Sequence, residues 1–572
     1  MSDWYSDCRN WYRHYFNIEA PFEHQQQIWE LFFNNQFPVL LRAPTGSGKT
    51  EAIVAPFLKQ FETKQFPVAP RLIYVLPMRA LVNSIHSRIE AYAQKISPAI
   101  SVKVQHGDMP DAPFFIGDII VTTLDQFVYG LARASQQVGR HIDIPAGAIA
   151  SSLVIFDEAH MYRDGFTFSI MRAVVEILQK SHIPFVVMTA TMPESLENSL
   201  FEDQGLFSEI QKIRGQDYIN STVQISFEDE PLYQDERVNI SDNLLSKIQS
   251  KKTLIVLNQV KRAQKVYEEI KRHLDLSDEK IVLLHSRFTR KDREEHEKKA
   301  LSLIPHKENG KVIIPEGAGI VVSTQVLEAG IDFSAELLLT ELAPADCLVQ
   351  RAGRCARYYG EEGEMIIVPA EDKGNLPYEK EHLEKTFEWL QKKENVNIKN
   401  FDEVCSFVNE TLDYEASDYE ARDTLVDLYE CVLYADRKPE NIQVRKSKPV
   451  TLVVVDIDIP EGGGEKVRKR REEVRKGIED ILKENPSIIR ENSMDIDTGI
   501  AWSLFKDKNR PIQWEIQWRY NFEKETNKLS VIDLFKSEKS PDEEDARIGP
   551  FRTYILNKKY YKKDMGIEKD VS

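Results

Sequence analysis

Ala43-Pro44-Thr45-Gly46-Ser47-Gly48-Lys49-Thr50 follows the apolar run 38–41, and Asp157-Glu158-Ala159-His160 follows the apolar run 153–156. The first stretch is a glycine loop between a β-rich run and a helix start. Such a loop aims backbone N–H groups and a helix dipole at phosphate. Thr45, Gly46, Ser47 and Gly48 supply the cradle, Lys49 is placed to reach the β- and γ-phosphates, and the Thr50 hydroxyl to ligate Mg²⁺. Ala43 stands where the usual pattern has its first glycine. The second stretch puts a carboxylate at the end of a buried strand, where a metal anchor belongs in a phosphate-loop domain. Asp157 is expected to hold Mg²⁺ and Glu158 to polarise the attacking water, with ATP as the nucleotide.

Outward from these stretches, runs 38–41, 71–76, 119–122, 153–156 and 185–188 are short and apolar on both faces. That is the signature of parallel strands covered by helices. Stretches such as 79–93 and 166–180 recur at helical spacing between them. The pattern fades over the acidic stretch 215–236, which reads as a linker. It restarts with 253–257, 281–285, 319–322, 337–340 and 364–368. Two tandem α/β domains are therefore expected, 1–222 and 223–400, followed by a C-terminal accessory domain, 401–572.

The C-terminal third is less regular. A strand is expected over 450–459, ended by Pro460 and Gly462–Gly464, then a basic helix over 466–476 whose plainest reading is a solvated face. Trp514, Ile516 and Trp518 alternate up to Tyr520, as one packed face of a small sheet does. The charged stretch 536–546 reads as a loop, and 558–563 adds basic and aromatic residues without a pattern.

Composition bounds the rest. The chain has 572 residues, with 75 basic against 92 acidic side chains, a net charge of −17. A bulk cationic coat for nucleic acid is excluded, so any strand must be gripped in a local groove. Five cysteines with no C-x-x-C pair make neither a disulfide framework nor a zinc ribbon. No leader precedes an apolar core and no run of 18 apolar residues occurs, so a cytoplasmic protein with no membrane partner is expected.

Further motifs lie in order. Thr189-Ala190-Thr191 follows 185–188, Ser323 to Asp332 follows 319–322, and Gln350-Arg351-Ala352-Gly353-Arg354-Cys355-Ala356-Arg357 carries an arginine pair. With the phosphate loop, the Asp-Glu-Ala-His box and the tandem domains, the set resembles the superfamily 2 helicases, nucleic-acid motors with two RecA-like P-loop domains. The resemblance implies that Arg354 and Arg357 reach the γ-phosphate across the cleft and that Asp332 and Gln350 belong to the nucleotide site. Phe22-Glu23-His24-Gln25 resembles the element that reads adenine, with Gln25 as the reader, although the run 25–27 leaves the choice among three glutamines open.

Within that superfamily, Leu76-Pro77-Met78-Arg79-Ala80-Leu81-Val82, Thr122-Thr123-Leu124-Asp125-Gln126, Thr189 to Pro193, Thr324 to Glu328 and Leu342 to Asp346 resemble the CRISPR-associated type I interference helicase, over about residues 20–370. The family usually carries an N-terminal histidine-aspartate nuclease. Here the phosphate loop begins at residue 43 and none of the 12 histidines is followed by aspartate, so a helicase-only form with a separate nuclease subunit is expected. The resemblance implies 3′-to-5′ movement on single-stranded DNA after an RNA-guided, Cascade-type surveillance complex opens an R-loop. Arg79, Thr122, Thr123, Ser286, Arg287 and Thr324 are the implied phosphate contacts, suited to binding without base identity. The alternatives are an RNA-remodelling helicase with the same motor and a scaffold with a dead ATPase. An iron–sulfur helicase is disfavoured, because no cysteine lies between Cys8 and Cys347.

Overall fold

The computed structural model describes residues 3–107, 109–201, 210–216, 221–308, 311–328, 332–370, 376–393, 396–434, 442–446, 449–461, 464–507, 509, 511–521, 526–534, 548–549 and 552–567. The first sheet contains β1 (Val39–Arg42), β2 (Arg71–Leu76), β3 (Val102–His106), β4 (Met109–Pro110), β5 (Ile119–Thr123), β6 (Ser152–Phe156), β7 (Phe185–Thr189) and β8 (Gln211–Arg214). Their order is β4-β3-β5-β2-β6-β7-β1-β8, parallel except for the β3–β4 pair. Every residue of β5, β6 and β7 is buried. Helices cover both faces, which is why these strands are apolar throughout.

The second sheet begins inside the stretch read as a linker. β9 (Thr222–Phe227) is its edge strand, and β10 (Tyr233–Gln234) and β11 (Arg237–Val238) form a hairpin beyond it. The linker reading of 215–236 is corrected accordingly. β9 is half-exposed and polar, so it lacks the apolar run that marks an inner strand. β12 (Lys252–Val256), β13 (Ile281–Leu284), β16 (Gly319–Ser323), β17 (Leu337–Glu341) and β18 (Glu362–Val368) complete a parallel sheet in the order β13-β16-β12-β17-β18-β9; β14 (His306–Glu308) and β15 (Lys311–Ile313) form a separate hairpin.

The third sheet joins β19 (Pro449–Val454), β20 (Ser493–Asp497), β21 (Ile512–Asn521), β22 (Thr526–Asp533) and β23 (Thr553–Leu556) in the order β20-β19-β23-β21-β22. Trp514 and Ile516 are buried on one face with Val453 and Ile555, as the alternation implies. The side chains of Trp518 and Tyr520, Gly462 and the stretch 536–546 lie outside the described residues. The basic stretch belongs to helix Glu465–Glu484, which buries only Ile478 and Leu482. Its cations are largely solvated or paired along the helix, Lys469 with Glu465 and Arg475 with Glu472 and Glu479.

The chain then returns to the second sheet. β24 (Tyr561–Lys562) and β25 (Gly566–Ile567) form a hairpin whose Met565 packs with Ile281, Leu283 and Phe288. Tyr561 Oη donates to Asp292 Oδ2 at 2.6 Å, and His285 Nε2 donates to Met565 O at 3.0 Å. Gly566 has φ +74°, and a Cβ there would fall 2.5 Å from Arg287 O, so the docking requires glycine. No helix among the described residues is long and apolar enough to cross a membrane.

Candidate active site

β1 ends in the phosphate loop, which enters helix Lys49–Thr63 through Gly48 at φ +76°. A Cβ on Gly48 would lie 2.5 Å from Gln25 Nε2. Gln25 donates to Gly48 O at 3.1 Å and accepts from Phe22 N at 2.9 Å, while Gln26 and Gln27 turn to Pro21 O and Glu23. Of the three glutamines, Gln25 is the one on the loop. Lys49 folds its ammonium onto Ala43 O and Pro44 O, both at 3.1 Å, the place where phosphate oxygens would compete for it. Thr45 and Gly46 line the cleft with Thr50, whereas the Ser47 side chain is buried.

β6 delivers Asp157 and Glu158 opposite the loop. Tyr74, buried in β2, donates to Asp157 Oδ2 at 2.7 Å and lies 3.2 Å from Thr50 Oγ1. One phenol therefore ties the two expected metal donors together. Burial pushes the Asp157 carboxyl up to about 6, with the Glu158 charge adding and Lys49 offsetting part of the rise. Glu158 goes the other way. Burial alone would raise it, but the cationic Lys49, Arg354 and Arg357 together hold it below its ordinary range. Its backbone is left-handed, φ +52°, held by Glu158 N donating to Asp157 Oδ1 at 2.8 Å. Two adjacent carboxyls with opposite shifts suit two different tasks.

The second wall is the end of helix Ala345–Ala352. Gln350 Nε2 donates to His160 Nε2 at 2.6 Å, and His160 Nδ1 lies 3.2 Å from Thr189 Oγ1. Burial lowers the His160 pKa, so the ring is neutral and its Nδ1 carries the proton, a tautomer inferred from these bonds. The box, the β7 end and the second domain are thus linked by one imidazole.

Three arginines of the same motif do three different things. Arg351 is fully buried and pairs with Glu328 at 2.9 Å, donating also to Thr340 Oγ1, Glu341 O, Asn258 Oδ1 and Tyr378 Oη. Arg354 donates to Leu327 O and Glu328 O at 3.0 and 2.8 Å, and burial beside Arg357 lowers its pKa to about 9. Arg357 pairs with Asp332. Gly46, Lys49, Asp157, Glu158, Arg354 and Arg357 line one cleft between the domains. Arg163, half-buried in the first domain, pairs with the buried Asp346 of the second.

Sequence reasoning missed Tyr74, Arg351, and the Gln350–His160 and Arg163–Asp346 links. The one legible signal was a tyrosine inside an otherwise apolar strand facing a phosphate loop.

The strand-facing candidates do not converge in the same way. Arg79 pairs with Asp495 of β20 at 2.6 Å. The Thr122 hydroxyl is buried and donates to Gln105 O at 2.7 Å. Thr123 precedes helix Leu124–Leu131, and the buried Thr324 donates its N–H to Leu284 O at 3.3 Å. Ser286 is exposed and Arg287 half-buried beside the C-terminal hairpin. Among the described residues no group of three His, Cys, Asp or Glu could hold a metal.

A phosphate loop and a DEAH box facing an arginine motif across two RecA-like domains define an ATP-dependent helicase. Residues 22–199 match the DEAD/DEAH box helicase family model, and residues 249–359 match the model described as CRISPR-associated nuclease/helicase Cas3, C-terminal. The CRISPR-associated helicase Cas3 of Thermoproteus tenax is 30% identical over 459 residues, covering 76% of this chain and 75% of that one. The chain belongs to the Cas3 helicase family. The putative CRISPR-associated nuclease/helicase Cas3 of Methanocaldococcus jannaschii is 27% identical, covering 65% of this chain and 51% of its own length. The chain thus spans about half of that relative. The fold is similar to T. fusca Cas3 with ADP, at TM-score 0.62 and 19% identity over 86% of this chain and 65% of that one. It is also similar to the DUF1998 helicase MrfA bound to DNA, at TM-score 0.54 and 14% identity over 93% and 70%.

Proposed function

We propose that the chain is an ATP-driven translocase that moves 3′-to-5′ on single-stranded DNA in the cytoplasm. It engages after an RNA-guided surveillance complex has opened an R-loop and delivers the strand to a separate histidine-aspartate nuclease. The observation that carries this reading is the two-sided cleft, with Lys49 and Glu158 on one domain and Arg354 and Arg357 on the other. A pre-nicking CRISPR RNA-guided surveillance complex contains a chain of similar fold, TM-score 0.54, which supports the partner assignment.

Thr50 and Asp157 are hard oxygen donors suited to Mg²⁺. Asp157 supports the fit: its carboxyl is raised first by burial and then by the neighbouring Glu158 charge, both of which a divalent cation would offset. Bound there, Mg²⁺ supplies neutralisation of phosphate charge. Lys49 binds the β- and γ-phosphates, Glu158 orients the attacking water and accepts its proton, and Arg354 and Arg357 meet the charge that develops on the γ-phosphate. Arg354 exchanges two carbonyls for phosphate oxygens, so ATP draws the domains together and hydrolysis releases them.

The strand path runs through a second groove, where Arg79 of the first domain, Arg290 of the second and Arg490 of the C-terminal unit meet. Strand displacement tests the reading. With ATP and Mg²⁺, a duplex bearing a 3′ single-stranded DNA tail should open, and a 5′ tail or an RNA tracking strand should not. Preference for RNA or for a 5′ tail refutes it. Labelled single-stranded DNA should stay uncut with Mg²⁺, Mn²⁺, Ni²⁺ or Co²⁺ until a metal nuclease is added.

A further inference from the structure

Asp495 lies at the groove wall on β20, and its carboxylate is held at both oxygens. Oδ2 sits 2.6 Å from Arg79 Nη1, and Oδ1 accepts from Thr451 Oγ1 at 2.7 Å. Arg79 begins helix Arg79–Ile96, while Thr451 and Asp495 face each other on paired strands of the C-terminal sheet. The contact therefore joins two units 416 residues apart in the chain. Around it the groove is lined by Arg290, Arg490, Ser493 and Gly107. Arginines with hydroxyls and an accessible backbone make a phosphodiester site. Among the described residues that line the groove, Asp495 is the carboxylate that repels phosphate.

We infer that Asp495 occupies on Arg79 the place of a DNA phosphate, so that strand loading is an exchange of this carboxylate for a phosphodiester. The inference rests on the reading of Arg79 as a strand contact and adds a built-in competitor to it. A motor bearing such a competitor holds stray single strands somewhat less tightly, and a strand presented at high local concentration overcomes the difference. The pair is partly exposed, with side chains 41% and 29% accessible, so its strength is that of a surface ion pair, ~1 kcal/mol or less. Removing the Asp495 charge should therefore tighten DNA by about fivefold at most.

The test is anisotropy of a labelled single-stranded oligonucleotide with the full chain at fixed salt. Asp495→Asn keeps the Thr451 bond and should tighten binding about three- to fivefold; Thr451→Val, which frees the carboxylate from its aim, should move binding in the same direction. Arg79→Ala should weaken binding, and in the Arg79→Ala background Asp495→Asn should do nothing. Tightening that persists without Arg79 is a general charge effect and overturns the inference. So does unchanged affinity in Asp495→Asn while Arg79→Ala weakens binding, an outcome that leaves the translocase reading intact. If Arg79→Ala has no effect, the strand role of Arg79 falls and the inference with it.

Discussion

Tyr74→Phe removes one oxygen from the floor of the nucleotide cleft and leaves the packing of a fully buried ring. The lost bond is a phenol donating to Asp157 Oδ2 at 2.7 Å. Hydrogen bonds to charged groups contribute ~1.5–3 kcal/mol, and one pKa unit corresponds to about 1.4 kcal/mol. The bond favours the ionised carboxylate, so its loss raises Asp157 further, from about 6 by about one unit. At pH 7 the protonated fraction of the metal-free protein goes from about one tenth to about one half. A proton and a divalent cation compete for the same oxygens. The Mg²⁺ concentration for half-maximal ATPase should therefore rise about twofold at pH 7, about fivefold at pH 6 and hardly at all at pH 8. The assay is ATP turnover against Mg²⁺ at those three pH values. A Mg²⁺ requirement that rises equally at all three, or at none, refutes the claim that Tyr74 acts through the Asp157 proton.

Glu158→Gln should bind ATP yet lose ~10²–10⁴ in turnover, because the water loses its acceptor; nucleotide binding and ATPase measured together check this. Arg354→Ala and Arg357→Ala should each cost ~10³ or more in turnover with unfolding midpoints unchanged, and a two- or three-fold drop would take them off the γ-phosphate. Arg351→Ala should instead destabilise the second domain by ~3–5 kcal/mol in urea unfolding, since it strands the buried Glu328 carboxylate. DNA stimulation of ATPase should fall steeply between about 50 and 200 mM salt despite the −17 net charge.

The inner strands were legible because both faces of a parallel sheet are covered, so 71–76, apolar after Arg71, and 185–188 read as runs close to β2 and β7. β9 was not, because an edge strand with one wet face and three exposed residues looks like a polar connection. The phosphate loop and box were legible because their chemistry is local. The links that assemble the cleft were not: Gln350 finds His160 across 190 residues and Arg163 finds Asp346 across 183, and no local pattern reports such partners. The third sheet was obscure for the same reason, since β19 takes β23 as a neighbour from about a hundred residues away.

The C-terminal hairpin gives the molecule a closed circuit. The C-terminal part of the chain is fastened to the first domain through Arg79–Asp495 and Arg445–Asp125, and to the second through Tyr561, Met565 and Gly566. On the proposed strand path, a strand would lie between the first domain, the second and the C-terminal part. Exchange of Arg79 from Asp495 to phosphate would leave Arg445–Asp125 and the hairpin to hold the C-terminal part in place. Escape sideways would then be governed by the opening of those fastenings and not by the strength of any phosphate contact, so each contact could be weak enough for rapid stepping.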